Sequence, residues 1–372
     1  MLKIPENISL AIDRLTQNGY EAYIVGGCVR DSLLGINPSD FDITTSAKPE
    51  EIIRLFEKTI PTGIAHGTVT VMLDNEPIEI TTFRTEGRYT DSRHPENVEF
   101  VTDLKEDLSR RDFTVNALAF SEKTGLVDLF GGISDLEKKI LKAVGDPRER
   151  FREDALRILR LFRFSSQLAF SIEENTLNAA LELKDGLKNI SRERIFLELK
   201  KAICGKNPKA ILPLINSGAL AFLGIEKTPD FYEKTQNPDL RLFSFLKDTK
   251  NPIKVLKELK ASNRQIDSSR KLLKLSTLEI NTKEEIKNAL FLTDEASVKS
   301  YFEYTDKDTR LLNEILENNE PYLISHLDIS GDDLKALGLE NREIGMKLEF
   351  LRQAVVKNPE SNKKETLISL TK

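Results

Sequence analysis

The sequence predicts two kinds of structure in succession: an α+β head, in which helices pack on a small mixed sheet, and then an all-helical remainder. Up to about residue 145, short apolar runs of strand length alternate with glycine turns and brief amphipathic segments. Beyond that point helical patterns continue, with capping signals at Ser171/Glu174 and Thr282/Glu285. At 372 residues the chain is longer than a single hydrophobic core usually accommodates, so two or more domains are expected.

The first predicted elements surround a pair of glycines. Residues 6–18 carry apolar positions at helical spacing and predict an opening helix. An apolar run at 23–25 predicts a strand that stops at the glycines 26–27. A short amphipathic turn then leads to a second predicted strand, which carries Asp40 and Asp42. Two carboxylates therefore follow a glycine turn within one short unit.

Asp40 and Asp42 have the spacing of a metal-binding pair, because residues i and i+2 of a strand point the same way, about 6–7 Å apart. Such hard oxygen ligands suit Mg²⁺, which is usually held by one or two carboxylates plus substrate phosphates. Gly27 lets the backbone approach an anion, and Arg30 adds a cation. Taken singly, a glycine pair is typical of a turn and two aspartates of a solvated loop. Their combination predicts nucleotidyl transfer.

A helix and a hairpin are predicted next. Residues 49–58 have a helical pattern that starts with proline in the first turn. The strand-like runs Thr68–Leu73 and 78–83 are joined across residues 74–75, whose Asp-Asn sequence favours a hairpin turn. Glu79 lies on the second run. It would complete a carboxylate trio with the two aspartates if that strand is their neighbour.

The rest of the head combines a polar loop with a second group of candidates. Residues 84–98 are rich in Gly, Pro and polar side chains, and a loop of this length is often functional. Residues 109–120 have a helix-like pattern on which Asp112 and Asn116 share a face, available to a ribose or to orient metal ligands. A strand, a glycine turn, a short helix and a last strand are expected over 126–145.

A helix predicted over 153–163 can supply base selectivity. On that helix Asp154, an acceptor, and Arg157, a fork of donors, are neighbours at i, i+3. Cytosine and adenine both present an amino donor beside a ring-nitrogen acceptor, whereas uracil and guanine present the reverse. One pair can therefore accept C and A and reject U and G, because an unpaired polar group costs ~1–3 kcal/mol. The commoner fate of such a pair is an intrahelical salt bridge. Arg160 and Arg163 continue the stripe as phosphate contacts or solvated charges.

Composition narrows the class of protein. The net charge of −5, with 31% charged and 39% hydrophobic residues, is ordinary for a soluble globular chain. No run of about 18 apolar residues or signal pattern occurs, so neither a membrane partner nor export is expected. Cys28 and Cys204 form no disulfide framework, which favours the cytoplasm. The basic stretches 148–163 and 188–201 can follow a phosphate backbone or simply face solvent.

Five motifs, in order along the chain, carry a family resemblance: GGCVRD (26–31), DFDITT (40–45), RRDFTVNALAF (110–120), VDLFGG (127–132) and EDALR (153–157). The set resembles the class II tRNA nucleotidyltransferases, the CCA-adding enzymes, of the bacterial type. These belong to the DNA polymerase beta-like nucleotidyltransferase superfamily. SRERI (191–195) resembles a further helical motif of that family.

The resemblance implies template-independent addition and repair of the 3′-terminal CCA of tRNA, with CTP and ATP as substrates and pyrophosphate released. It implies Mg²⁺ as the cofactor, held by Asp40 and Asp42 as catalytic residues. The nucleotide-binding residues that it implies are Gly27, Arg30, Arg111, Asp154, Arg157, Arg160 and Arg163. Reasoning from the residues themselves adds three supporting groups: Glu79, Asp112 and Asn116.

The resemblance also implies an organisation. The expected parts are a nucleotidyltransferase head over 1–145, a helical neck with the base-reading helix over 146–205, a helical body over 206–270 and a tRNA-binding helical tail over 271–372. The partner would be the 3′ end of tRNA, with no membrane involved and a homodimer left open. Some relatives carry a phosphohydrolase domain with a His-Asp dipeptide, which this sequence lacks, so that activity is not expected.

Several alternatives stay open at this point. An A-adding or CC-adding specialist would carry the same head motifs, as would a poly(A) polymerase of the same superfamily. By resemblance, CC-adding relatives lack much of a loop such as 84–98, which argues against that specialist. A catalytically silent RNA-binding protein is a further alternative, against which the intact Asp40 and Asp42 argue.

Overall fold

A computed structural model of the chain describes residues 2–86, 98–226 and 228–371. The chain forms two compact units, Met1–Phe231 with Glu258–Lys260, and Tyr232–Lys257 with Ala261–Lys372. The first contains the sheet and the helices that follow it, and the second is helical throughout the described residues. The predicted α+β head followed by an all-helical remainder is thus confirmed, while the four-part division at 145, 205 and 270 stays a prediction.

One mixed sheet organises the head. Its strands in the described chain are β1 Ala22–Val25, β2 Asp42–Thr45, β3 Thr59–Gly63, β4 Thr68–Leu73, β5 Glu76–Thr82, β8 Leu118–Ser121 and β9 Gly125–Asp128. Strands β6 Arg84–Glu86 and β7 Val98–Phe100 form a separate two-stranded sheet. The order across the sheet is β3-β4-β5-β2-β1-β8-β9. Only β2 and β5 run parallel among these neighbours.

Helices pack around this sheet and continue beyond it. Those of the first unit are α1 Glu6–Gln17, α2 Gly27–Leu33, α3 Pro49–Leu55, α4 Leu104–Ser109, α5 Gly132–Glu137, α6 Pro147–Glu153, α7 Leu156–Leu168, α8 Glu174–Glu182, α9 Arg192–Ile203 and α10 Leu212–Asn216. Two short strands, β10 Ile140–Leu141 and β11 Ser171–Ile172, pair in parallel.

Strand β1 shows why an apolar run of four residues lies in the interior of the sheet. Ile24 packs into one buried cluster together with Leu15 of α1. Its neighbours Tyr23 and Val25 pack into a different cluster with Leu108 of α4. Because successive strand residues point to opposite faces, a strand that is covered on both sides needs apolar side chains throughout.

The predicted hairpin is confirmed and sets the register beside the site. Asp74 and Asn75 join β4 to β5 with φ of 52° and 63°, the left-handed pair that a two-residue type I′ turn requires. β5 then pairs with β2 in a register that places Glu79 opposite Asp42. The strand of Glu79 is therefore the neighbour of the strand of Asp42, as the trio hypothesis required.

Two helical predictions on the flanks of the sheet differ in outcome. The opening helix predicted over 6–18 is confirmed as α1. The helix predicted over 49–58 is too long, since α3 ends at Leu55 and the chain enters β3, which the sequence analysis missed. The β-branched pair Thr59 and Ile60 favours a strand there. Because β3 lies at the sheet edge, Pro61 is tolerated within it.

The helix-like interpretation of 109–120 is wrong. Helix α4 ends at Ser109, and the chain then pairs with a later segment, Thr114 N donating to Lys142 O at 2.9 Å and Val144 N to Asp112 O at 3.2 Å. This backbone pairing competes with a helix and wins, leaving one short 3₁₀ turn at Thr114–Asn116 before β8.

The loop predicted over 84–98 is bounded by β6 and β7, which pair with each other. Residues 87–97 lie outside the described residues, so the functional role expected of this loop stays a prediction. The capping box expected at Ser171 is also wrong, because Ser171 belongs to β11 and Glu173 caps α8, accepting from Thr176 N at 2.8 Å.

The second unit consists of helices in its described part: α11 Pro238–Leu246, α12 Pro252–Glu258, α13 Asn263–Leu275, α14 Lys283–Leu292, α15 Glu295–Thr305, α16 Arg310–Glu317, α17 Gly331–Ala336, α18 Asn341–Lys357 and α19 Lys364–Ser369. The predicted capping box at Thr282 and Glu285 is confirmed at the start of α14. Throughout the described ranges, every helix falls short of the length and apolar character that crossing a membrane needs.

Candidate active site

A cleft of about 840 Å³ in the first unit gathers side chains from the head, α7 and α9. Eleven of the twelve predicted site residues line it: Gly27, Arg30, Asp40, Asp42, Arg111, Asp112, Asn116, Asp154, Arg157, Arg160 and Arg163. Glu79 is the exception, although it lies beside Asp42 in the sheet. Motifs that are distant in the sequence therefore share one surface.

Asp40 and Asp42 both open into this cleft, although they do not lie on one strand. β2 begins only at Asp42, where pairing with Val25 of β1 starts, and Asp40 belongs to the preceding loop. The prediction that one strand carries both is therefore wrong. Ser39 Oγ donates to Asp40 Oδ1 at 3.0 Å, and both aspartates are exposed to solvent.

The aspartates contribute negative charge to the lining of the cleft. Although Asp42 is open to solvent, desolvation by the protein around it raises the pKa of its carboxyl group above 3.8, and the charges of Asp40 and Glu79 raise it further. Arg111 acts in the opposite direction. Carboxylates that repel one another in this way favour a cation between them.

Glu79 does not complete a preformed metal site. Among the described residues, no group of three or more His, Cys, Asp or Glu side chains is placed to hold a metal ion. The carboxylate trio therefore stays a prediction, of which only the strand neighbourhood of Glu79 and Asp42 is confirmed. Asp40 and Asp42 still offer the hard oxygen ligands that Mg²⁺ prefers, and a substrate phosphate would supply the others.

The turn between β1 and α2 depends on glycine. Gly26 has φ 80° and ψ −128°, a backbone conformation that residues with a Cβ rarely adopt. A Cβ at Gly26 would also lie 3.0 Å from Arg111 Nη1. At Gly27, a Cβ would lie 3.6 Å from Arg30 Nη2, so the missing side chain keeps cleft space beside two arginines open.

A buried network connects the head to helix α7. Asp112 Oδ2 accepts from Arg160 Nε at 2.8 Å and Nη2 at 2.6 Å, and its Oδ1 accepts from Asn116 Nδ2 at 3.0 Å. Asn116 Oδ1 in turn accepts from Arg30 Nη1, and Arg30 pairs with Asp31 at 2.8 Å. Asp112 and Asn116 thus meet as predicted, through a turn rather than a helix.

The charge of Asp112 is strongly favoured in this network. Burial acts to raise its pKa, but the Arg160 guanidinium and the Asn116 amide outweigh burial and lower the pKa to about 2. The carboxylate is 7% exposed, so it serves as a fixed anchor for Arg160 rather than as a group that titrates near neutral pH.

Asp107 is a second anchor, and the sequence analysis did not identify it. Its buried carboxylate pairs with Arg110 Nη2 at 2.6 Å and with Arg111 Nη2 at 3.4 Å, and it accepts from Thr44 Oγ1 at 3.2 Å. Burial raises its pKa, but Arg110 and Arg111 lower it more, so the net pKa is below 3.8. The i, i+3 and i, i+4 spacing of Asp107 to the two arginines was a usable signal.

The base-reading helix predicted over 153–163 is interrupted. Helix α6 ends at Glu153, Asp154 has an extended backbone, and α7 starts at Leu156. Asp154 Oδ1 accepts from Leu156 N at 2.9 Å, as a capping aspartate does. The prediction of one continuous helix is therefore wrong, because Asp154 begins a new helix instead of extending the old one.

Asp154 and Arg157 each have another ionic partner. Asp154 Oδ2 pairs with Arg194 Nη2 at 2.8 Å, and Arg157 Nη1 pairs with Glu153 at 2.5 Å. Arg157 Nη2 also donates to the carbonyl oxygen of Arg110 at 2.9 Å. These contacts fix both side chains at the cleft. A carboxylate can accept about four hydrogen bonds, so Asp154 can still accept one from a nucleotide base in addition to those from Leu156 N and Arg194.

Further cleft residues were missed by the sequence analysis. Arg194 belongs to the SRERI motif and to the basic stretch 188–201 but was not predicted as a site residue, and Arg84, Arg110, Phe164 and Gln167 also line the cleft. In the described lining, eight arginines face five aspartates. This excess of positive charge suits a polyanionic substrate such as a nucleoside triphosphate.

Comparison with known proteins agrees with this architecture. Residues 22–142 match the family model described as poly A polymerase head domain, and residues 169–225 match the model described as probable RNA and SrmB-binding site of polymerase A. A CCA-adding enzyme of Pediococcus pentosaceus is 38% identical over 91% of this chain and 87% of its own length. That of Enterococcus faecalis is 36% identical over 97% and 94%.

A solved structure agrees as well. The crystal structure of the Bacillus stearothermophilus CCA-adding enzyme in complex with CTP has a TM-score of 0.82 and 31% identity, covering 98% of this chain and 97% of that one. The sheet, the aspartate pair and the arginine-lined cleft thus define a nucleotidyltransferase with a poly A polymerase type of head. Within that class, the chain belongs to the family of CCA-adding enzymes.

Proposed function

We propose that this protein adds CMP, CMP and AMP in turn to the 3′ end of tRNA, using CTP and ATP and releasing pyrophosphate. The observation that carries the proposal is the single cleft in which the aspartate pair, the arginines and Asp154 meet. In the reaction the terminal 3′-OH attacks the α-phosphate, and pyrophosphate leaves. The full-length relatives named CCA-adding enzymes favour this over a poly(A) polymerase.

Asp40 and Asp42 would hold the catalytic Mg²⁺. Their carboxylates suit a hard cation, they face the cleft, and mutual repulsion with Glu79 would be relieved by binding one. When bound, the metal lowers the charge on the transferring phosphate and favours the attacking oxygen. The chain itself contributes two carboxylates and, through Gly27, room for the triphosphate.

The arginines would bind the nucleotide in a fixed arrangement. Asp112 holds Arg160, and Asn116 connects this pair to Arg30 on α2. Asp107 holds Arg111 from the side of the sheet. Because these guanidiniums are already held in place, they lose little conformational entropy when a triphosphate binds. More of the electrostatic attraction therefore contributes to the binding free energy.

Asp154 and Arg157 would select the base. The acceptor of Asp154 and the donors of Arg157 match the edges that C and A share, and both side chains lie at the cleft. Their partners Arg194 and Glu153 would hold them in register for this hydrogen bonding. No nucleic-acid template is then needed, because amino acids supply the pattern that a base would provide.

The remaining assignments stay predictions. We propose that the RNA is held by the helical part that follows the head, with the match at 169–225 as support and with the predicted neck, body and tail at 146–205, 206–270 and 271–372. A cytoplasmic location is expected from the composition, and a homodimer stays open.

The test is to supply a tRNA lacking its last three nucleotides with all four NTPs and to sequence the product. Addition of C, C and A in that order is expected. A parallel reaction with tRNA ending in CC separates the rival activities. Extension of that substrate alone would establish an A-adding specialist, a product ending in CC would establish a CC-adding one, and a long A tract would establish a poly(A) polymerase.

A further inference from the structure

Phe164 on α7 is in contact with three of the cleft arginines. The guanidinium carbon of Arg163 lies 3.8 Å from the centroid of its ring, that of Arg30 lies 5.1 Å away and that of Arg160 lies 5.4 Å away. All three distances are within the range of about 6 Å in which a cation is attracted to an aromatic face. The ring is 7% exposed, and it packs edge-on against Phe113.

Each of these arginines has a different polar partner. Arg160 pairs with Asp112. Arg163 pairs with Glu198. Arg30 pairs with Asp31 and reaches Asn116.

The Phe164 ring is the group that these three arginines share in the described contacts. It therefore links one guanidinium of the head to two of helix α7.

A neutral ring suits this place better than a further carboxylate. Guanidiniums gathered for a triphosphate repel one another while the cleft is empty, so something must hold them together. A carboxylate among them would also repel the substrate, whereas the electron-rich face of a ring attracts cations and carries no net charge. The ring therefore stabilises the cluster without lowering its attraction for phosphate.

We propose that Phe164 is a positioning residue that sets the nucleotide affinity of the cleft by holding Arg30, Arg160 and Arg163 together through its π face. The inference rests on the proposed function, in which these arginines bind CTP and ATP. The alternative is that Phe164 serves only as core packing against Phe113. The two roles differ in what they depend on: the first on the electrostatics of the ring, the second on its size and shape.

Progressive fluorination of the ring separates these roles. Phe164 is replaced in the full chain by 4-fluoro-, 3,4-difluoro- and 3,4,5-trifluorophenylalanine, which weaken the negative face stepwise while changing the ring volume little. The same series at Phe162 is the matched control, since that residue lies on α7 and is fully buried. The readouts are kcat and KM for CTP and ATP on tRNA, and the dissociation constant of labelled CTP without tRNA.

At Phe164 we expect KM and the CTP dissociation constant to rise with each fluorine, reaching roughly tenfold for the trifluoro ring, while kcat stays within about twofold. At Phe162 no such trend is expected. Phe164→Leu should resemble the trifluoro protein, and Phe164→Tyr should restore most of the affinity. If the trifluoro protein does not fold, the first two members still define the slope.

A flat series at Phe164, or equal slopes at Phe164 and Phe162, would overturn the proposal in favour of core packing. The CTP dissociation constant keeps this outcome separate from the proposed function. Were the wild-type chain to bind CTP but add nothing to tRNA, the proposed function would fail, and the binding series would still decide the role of the ring.

Discussion

Asp112→Asn tests whether the buried network of the cleft works as an anchor. The substitution keeps the shape of the side chain and removes its charge. In the native network Oδ1 faces donors from Asn116 and Oδ2 faces donors from Arg160. An asparagine amide must turn its NH₂ group toward one of them, so two donors oppose each other in either orientation.

The expected magnitude follows from the pKa of Asp112 and from its burial. Lowering the pKa from 3.8 to about 2 corresponds to roughly 2 kcal/mol at ~1.36 kcal/mol per pH unit. Removing one partner of a buried pair costs ~3–5 kcal/mol, but the Arg160 side chain is 34% exposed and can regain water. We therefore expect a loss of about 2–3 kcal/mol, which lowers the melting temperature by about 5–10 °C for a unit of this size.

The stabilisation by Asp112 should depend on pH in a defined direction. Because the folded pKa lies below the unfolded one, the contribution of Asp112 is present above pH 3.8 and is lost as the pH falls toward 2. Thermal unfolding of wild type and variant between pH 7 and pH 3 should show the difference between their melting temperatures shrinking below about pH 4.

The control is Asp185→Asn, which removes the same charge from an exposed pair with Lys188 and should change the melting temperature little. Equal melting temperatures for Asp112→Asn and wild type at pH 7, or a difference that grows in acid, would refute the anchor.

Three further predictions concern the reaction. Alanine at Asp40 or Asp42 should abolish addition of both CMP and AMP in a radiolabel assay, with tRNA affinity by filter binding within about twofold of wild type; more than a few per cent of residual turnover would count against the metal assignment. Alanine at Asp154 or Arg157 should slow correct addition and let UTP or GTP compete, and unchanged misincorporation on sequencing would make the pair structural. Deleting residues 86–93 should leave CC addition intact and block the final A, because we expect this loop to shift the Asp154 and Arg157 pair so that it fits the larger purine; completion of CCA at the wild-type rate would exclude that role.

Local patterns in the sequence predicted much of the head. The turn at Asp74 and Asn75 depends on neighbouring residues, so it was accessible without a structure. That Asp40 and Asp42 share the cleft was also predicted, although only Asp42 lies on the strand. The sequence analysis made the trio depend on the strand of Glu79 being the neighbour of Asp42, and this condition is confirmed, although the hairpin itself fixes only the register of β4 with β5. Local patterns do not supply ligand geometry, since adjacent strands do not by themselves bring three carboxylates to one point, and the metal role of Glu79 stays a prediction.

Predictions failed where tertiary pairing competed with a local pattern. Residues 109–120 have helical spacing, yet backbone pairing with 142–144 holds them in a turn. Asp154 was placed inside a helix by apolar periodicity, although aspartate is also a strong capping residue, and capping won. Arg194 reaches Asp154 from 40 positions away, a contact that no single-sequence spacing rule can supply.

The buried acids that anchor the cleft arginines allow two explanations of nucleotide affinity, net charge and fixed geometry, to be distinguished. Asp107, Asp112 and Glu198 are buried acids that each pair with cleft arginines and so reduce the net positive charge of the site. If net charge alone governed affinity, Asp112→Asn would bind CTP and ATP more tightly, because the cleft would gain one positive charge. If fixed geometry governs it, the same variant binds both nucleotides more weakly, since Arg160 must be ordered anew at each binding event. The buried and paired state of Asp112 favours the second account, and the direction of change in the CTP dissociation constant decides between them.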